Sequence, residues 1–123
     1  MYVMQNELLQ IDEQTLTVKS DSIINYILSN GIPGSILNGA VYAAMKKNEL
    51  KHALALARLQ ALMTPANPNS WDTYGEVYYF LGETKLAKRY ETQSKRIDKD
   101  FKQGGEETWK RDLEDFKKQW AEK

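Results

Sequence analysis

The hydrophobic and polar positions of the chain alternate with the spacing of α-helices, and glycine and proline interrupt that spacing. The interruptions lie at residues 31–34, 65–69, 82 and 104–105. Between them, SILNGAVYAAMKK and LKHALALARLQALM place apolar residues three or four positions apart. The first predicts a helix from Ser35, and the second predicts a helix that is buried on two sides.

The second half of the chain continues the pattern. SWDTYGEVYYFL predicts a helix that ends at Gly82, and another is expected from Lys85 toward Phe101. Three hydroxyl side chains stand where we expect helix N-caps: Ser35, Ser70 and Thr84. The terminal segment EETWKRDLEDFKKQW spaces its large apolar residues by four, three and four, which predicts a strongly amphipathic helix. These residues are Trp109, Leu113, Phe116 and Trp120.

The first thirty residues have a weaker pattern. SDSIINYILSN predicts a helix from about Ser22 to Asn30, stopped by Gly31 and Pro33. Before it, LTVKS is compatible with a short extended piece or with the end of a helix that runs from Gln5. Both alternatives stay open at this point.

Composition and charge narrow the class of protein. The chain has 123 residues, 41% of them hydrophobic and 28% charged, which is typical of one folded domain. Seventeen basic and seventeen acidic residues cancel, so no long-range field draws the whole molecule to nucleic acid or to an anionic membrane. We expect no membrane span and no signal peptide. The chain has no cysteine, but many periplasmic proteins also lack it, so the cytoplasm and the periplasm both stay open as its compartment.

The two halves of the central region match each other at an offset of 34 residues. Ala87 falls on Ala53, Gly82 on Asn48, and Trp71 on Leu37. A helix–turn–helix unit of 34 residues is the length of a tetratricopeptide repeat. The second unit resembles that family at seven positions: Trp71, Tyr74, Gly75, Tyr78, Gly82, Ala87 and Tyr90.

The resemblance implies an all-α fold of about six helices, stacked as antiparallel pairs into a short right-handed superhelix. Its units would be a degenerate N-terminal unit at 1–34, repeats at 35–68 and 69–102, and a capping helix at 103–123. Gly75 and Ala87 would lie where two helices cross closely, and Gly82 or Asn48 would take the positive φ of the turn.

Members of the resembled family hold peptides on a concave face made by the first helix of each unit. The resemblance therefore implies a non-catalytic protein-interaction module that binds a protein or peptide. Carried over by position, the candidate peptide-binding residues are Asn38, Tyr42, Met45, Lys46, Asp72, Thr73, Glu76, Tyr79 and Phe80. Asn38 and Tyr42 stand where some members have a lysine and an asparagine that grip a terminal carboxylate. We therefore expect aromatic and mixed polar contacts with an extended or helical segment instead.

A second interpretation is structural. The run NSWDTYGEVYYFLGETKLAKRYETQSKRID is similar to C-terminal repeat appendages of some bacterial secreted hydrolases and thioredoxin-like proteins. On this interpretation the chain supports a larger enzyme or a dimer, and the face is filled by its own first thirty residues or by a second copy. Trp109 and Trp120 would then seal the last repeat or form the contact of a homodimer through the C-terminal helix.

Catalytic and metal-binding chemistry has little support. His52 is the only histidine, whereas a zinc site takes three or four protein ligands, so we expect a solvated or helix-flanking role for it. Glu76, Glu83 and Glu91 have no accompanying nucleophile or phosphate loop, so we predict no enzyme, catalytic residue, metal or cofactor.

Residues 85–102 contain seven basic and three acidic side chains. We interpret this excess as a solvated helix face beside which the acidic residues from Glu106 fold back. RNA binding through it is the weaker alternative.

Overall fold

The computed structural model describes residues 4–102 and 104–122, in which eight helices and no strand occur. The helices are α1 (Met4–Gln10), α2 (Glu13–Val18), α3 (Ser20–Ser29), α4 (Ser35–Lys46), α5 (Leu50–Met63), α6 (Pro68–Phe80), α7 (Thr84–Ile97) and α8 (Glu106–Ala121). The all-α prediction is confirmed. The expected number of about six helices is wrong for this part of the chain, because its N-terminal segment forms three helices.

The N-terminal segment is helical on both sides of Asp12. The Asp12 carboxylate accepts a hydrogen bond from Thr15 N at 2.8 Å and starts α2, which separates it from α1. Residues 16–18 of LTVKS are the end of α2, and Leu16 is fully buried. The extended alternative for this segment is therefore wrong. Helix α3 begins at Ser20, two residues before the predicted start, and ends at Ser29, one residue before the predicted end.

Two predicted hydroxyl caps are residues of the first helical turn instead. Gly34 is the N-cap of α4 and Glu83 is the N-cap of α7, and neither makes a side-chain capping bond. Ser35 and Thr84 are therefore the first helical residues. Helix α7 also ends earlier than predicted, at Ile97.

The N-terminus of α6 is capped by Asn67 and begins with Pro68, whereas the sequence pattern predicts Ser70 as the cap. The side chain of Asn67 accepts a hydrogen bond from Asn69 N at 3.0 Å, and Pro68 occupies the first turn, where it needs no N–H partner. Ser70, the predicted cap, is buried, and its hydroxyl lies 2.6 Å from Thr64 Oγ1. It therefore joins the end of α5 to α6.

The helix pairs α4/α5 and α6/α7 repeat with an offset of 34 residues. Leu50–Met63 and Thr84–Ile97 have the same length and are related by that offset at both ends. The turns match as well, because Asn48 has φ 59° and Gly82 has φ 84°. Both turns thus need the left-handed conformation that glycine adopts without strain.

Replacing Gly82 with alanine should lower the free energy of unfolding by about 1–2 kcal/mol, because a Cβ makes a positive φ unfavourable. No heavy atom lies within 4 Å of the position of that Cβ, so the cost is backbone strain and not a clash. Asn48→Gly is the matched control in the equivalent turn and should leave stability unchanged or slightly raised. Urea denaturation of the three proteins measures both effects, and equal stability of Gly82→Ala and the wild type would contradict the requirement.

The helices are arranged around a core formed mainly by α4 and α5. Helix α1 packs on α4, whereas α2 and α3 pack on α5. Helix α5 also contacts α6, and α6 contacts α7. Helix α8 returns to contact α6 and α4. Helix α8 therefore lies on the same two helices that carry the predicted binding residues.

Among the described helices, none is long and apolar enough to cross a bilayer.

Candidate functional site

The nine predicted binding residues all lie on the adjacent helices α4 and α6. We call the surface they form, between these two helices, the groove. Lys46 is exposed, and Asn38, Tyr42 and Tyr79 are half-buried. The other five are buried: Met45, Asp72, Thr73, Glu76 and Phe80. The sequence placed these residues on one surface, and helix α8 covers much of that surface.

The C-terminal half of α8 binds the groove through two aromatic residues. Phe80 of α6 meets Phe116 edge-on, with ring centroids 5.4 Å apart, and meets Trp120 in the same way at 6.2 Å. The Trp120 indole Nε1 donates to the carbonyl oxygens of Met45 and Lys46, both at 3.1 Å. These carbonyls lie in the last turn of α4, where backbone acceptors lack helical partners. Trp120 therefore closes the end of α4 while its ring packs on α6.

The N-terminal half of α8 is anchored by Trp109, which is 1% exposed. Its ring lies over Gly75 of α6, where an added Cβ would come within 2.9 Å of the ring and 3.0 Å of the Ala87 carbonyl oxygen. Tyr79 contacts the same indole, with centroids 5.9 Å apart. The absence of a side chain at Gly75 thus permits the expected close crossing of α6 and α7, and it also makes room for Trp109.

Polar contacts fix the start of α8 beside this anchor. Asp72 accepts hydrogen bonds from Gly105 N at 2.8 Å and from Trp109 Nε1 at 3.4 Å. Burial raises the pKa of Asp72, and these two hydrogen bonds oppose that rise. On the other side, Glu91 accepts from Glu106 N at 3.1 Å, next to the first turn of α8. The loop and the first turn are therefore held by carboxylates of α6 and α7.

The predicted return of acidic residues beside the basic helix occurs at one ion pair. Lys88 Nζ lies 3.2 Å from the carboxylate of Glu106, and the Lys88 side chain is 69% exposed. An exposed pair of this kind contributes little to stability. The position of α8 thus depends mainly on its buried face.

Glu76 is the most enclosed acid of the groove, with no exposed surface. The hydroxyl of Tyr42 donates to its Oε1 at 2.5 Å, and among the described residues Oε2 has no hydrogen-bond partner. Burial, followed by the interaction with Asp112 of α8, raises the pKa of Glu76 to about 9. Near pH 7 the Glu76 carboxyl group is therefore a neutral acid.

The Asn38 side chain joins three helices, and its amide oxygen is already occupied by hydrogen bonds within the protein. Asn38 Oδ1 accepts from Thr73 Oγ1 at 3.1 Å, from Gln60 Nε2 at 3.2 Å and from Asn69 Nδ2 at 3.4 Å. These contacts link α4 to α5 and α6. Asn38 and Thr73, both predicted binding residues, therefore connect the helices of the groove to each other.

His52 has one of the two roles expected for it, and Asp112 has a role that the sequence pattern did not specify. His52 is half-buried, and its Nε2 lies 3.2 Å from the Leu8 carbonyl oxygen, so it flanks the contact of α5 with α1. The signal for Asp112 was its spacing, because it is three residues after Trp109 and thus near the apolar stripe of α8. A carboxylate on that side faces the groove.

The arrangement has the form of an amphipathic helix in a groove. The anchors Trp109, Leu113, Phe116 and Trp120 occupy one side of α8 at the spacing typical of such recognition. Asp72 and Glu76 add polar contacts within the covered surface. Comparison with models of protein families, with curated proteins and with solved structures finds no match to this chain.

Proposed function

We propose that the chain is a protein-interaction module whose groove binds an amphipathic helix, and that α8 is its resident occupant. The observation that carries this proposal is the seating of α8 across both α4 and α6. Trp109 and Phe116 are buried there, although both belong to a helix whose other face is charged. A surface that holds one such helix has the shape and the polarity to hold another.

We also propose that residues 35–102 are two repeats of the tetratricopeptide type, arranged in a short right-handed superhelix. The equal lengths and the 34-residue offset of α5 and α7 support this assignment. The matching positive φ values of Asn48 and Gly82 support it too. On this proposal the groove is the concave face of the array, and its ligand is a partner protein.

The partner would present a helix with large apolar residues at the spacing of α8. The sequence predicts an extended or a helical ligand. A helical ligand is favoured, because Phe80 and the space above Gly75 receive aromatic side chains of the helix α8. Such a partner has to displace α8, which is tethered at a high effective concentration. The tether thus makes the module selective for helices that bind the groove better than α8 does.

A labelled peptide of residues 104–122 tests the groove directly. Full-length protein with Phe116→Ala and Trp120→Ala has a weakened resident helix, so it should bind the peptide at least about tenfold more tightly than the wild type does. Fluorescence anisotropy measures the two affinities. Circular dichroism checks that the variant keeps its helical content.

Two matched peptides complete the experiment. A peptide with the same two alanine changes should not bind, whereas a peptide with Lys110→Ala, a change on the exposed side of α8, should bind normally. If the folded full-length variant fails to bind the unmodified peptide, the groove is not a site for helices in trans.

The second candidate function is structural, and the polar contacts at the start of α8 favour it. Asp72 and Glu91 hold the backbone of Gly105 and Glu106, which suits a permanent cap more than a displaceable helix. The module would then support a larger protein or a dimer and have no ligand in its groove. Failure of peptide binding by the weakened variant is the outcome expected of this alternative.

A further inference from the structure

The two ends of the helical array have opposite charge. In α1–α3 and the short connections between them, four acidic residues and one basic residue are all exposed: Glu7, Asp12, Glu13, Asp21 and Lys19. In α7, five exposed basic residues accompany one acidic residue, Glu91, whose carboxylate is engaged by Glu106 N. A chain with zero net charge is therefore strongly polarised along its length.

The acidic end also exposes apolar side chains. Val18 is 73% exposed, Tyr26 53% and Leu28 61%. Leu28 lies seven residues after Asp21 in α3, so both lie on the same side of that helix. Tyr26, two residues before Leu28, lies on the opposite side of α3. We call the side of α3 that contains Asp21 and Leu28, together with the exposed residues of α2, the acidic face.

The basic end carries a cleft of about 500 Å³ on the surface of α6 and α7. Its lining combines two arginines with aromatic rings: Trp71, Arg89, Tyr90, Gln93 and Arg96. The rings of Trp71 and Tyr90 are stacked, with centroids 5.7 Å apart and planes at 14°. Arginine beside aromatic rings binds carboxylates and apolar groups together. We call this surface the basic face.

We propose that the acidic face of one copy docks on the basic face of a second copy, in a head-to-tail contact. Within one molecule the two faces are kept apart, because α4, α5 and α6 connect α2 and α3 to α7. The opposite charges fit each other, and Leu28, on the same side of α3 as Asp21, supplies an apolar group for the aromatic cleft. A single-stranded nucleic acid would use the basic face alone and would leave the exposed apolar residues of α2 and α3 without a function.

A head-to-tail contact is heterologous, so each bound copy still offers one free face. The average mass should therefore rise with protein concentration without stopping at a dimer. The rise should be suppressed by high salt, because charge complementarity between exposed groups is screened. Sedimentation equilibrium at low and high salt measures both features.

Charge reversal at either face should block growth. Arg89→Glu with Arg96→Glu removes the basic face, and Asp21→Lys with Leu28→Lys removes the acidic face. Each double variant changes only exposed residues and should lower the association constant at least about tenfold. Lys110→Glu with Lys117→Glu is the control, since it makes the same charge change at the same spacing on the exposed side of α8 and should associate like the wild type.

Mixing the two blocked variants gives the sharpest result. Each alone should be monomeric, but together they should associate, because each supplies the face that the other lacks. A wild-type protein that is monomeric at every concentration would overturn the proposal. So would association that survives the loss of the acidic face, or a basic face that binds an oligonucleotide while the protein itself remains monomeric.

Discussion

Trp109→Ala should lower the free energy of unfolding by about 3–5 kcal/mol, the range found when a large buried aromatic residue is truncated. The indole is 1% exposed, fills the space above Gly75 and donates to Asp72. Its removal leaves a cavity between α6 and α8 and takes one donor from a buried carboxylate. Urea denaturation followed by circular dichroism measures the loss.

Gly75→Ala tests the same contact from the other side. A methyl group there meets the Trp109 ring at 2.9 Å, so this change should cost about 1–3 kcal/mol in the wild type. In the Trp109→Ala background the ring is gone, so the methyl should cost less, although the Ala87 carbonyl oxygen at 3.0 Å still limits the space. Additive losses in the double variant would show that Gly75 and Trp109 do not share this space.

Glu76→Gln should make the protein more stable than the wild type at neutral and alkaline pH. Glu76 has a pKa of about 9 in the folded protein and an ordinary value of 4.5. Above pH 4.5 the unfolded chain releases this proton while the folded protein retains it, so the contribution of Glu76 to stability falls as pH rises to about 9. The fall is about 1.4 kcal/mol per pH unit while the proton is retained in the folded state only.

Glutamine has the shape of the neutral acid and can accept the hydrogen bond from Tyr42, but it does not ionise. The difference in stability between Glu76→Gln and the wild type should be small below pH 4.5 and should reach about 5 kcal/mol at pH 8. Comparing the two proteins at each pH isolates Glu76 from Asp72, whose pKa burial also raises. A difference that does not change between pH 4.5 and 9 would show that Glu76 is ionised in the folded protein.

The helices from α4 onward could be predicted from the sequence because their signals are local. Apolar spacing placed α4, α5, α6 and α8, and Gly82 correctly marked the turn before α7. The N-caps were harder, because Asn67 and Pro68 compete with Ser70 for the start of α6 and the choice depends on where the Ser70 hydroxyl finds a partner. That partner, Thr64, is the C-cap of another helix, α5.

The candidate site could be predicted only as a surface. Helical spacing put Tyr42 on the same side of its helix as Met45, and the repeat put Glu76 opposite Tyr42 at an offset of 34 residues. Spacing does not state which other helix an apolar side will meet, so the covering of these residues by α8 was not foreseen. The pKa of Glu76 is raised first by burial and then by the interaction with Asp112, a residue of that distant helix.

The hydrogen bonds of Trp120 have a consequence for biosynthesis. They join the last turn of α4 to a residue that is 74 and 75 positions later in the chain. During translation α4 and α6 leave the ribosome first, and synthesis proceeds at about 5–20 residues per second. The apolar seats around Phe80 therefore remain uncovered for several seconds on each nascent chain. In that interval the groove is open to another helix before α8 competes for it.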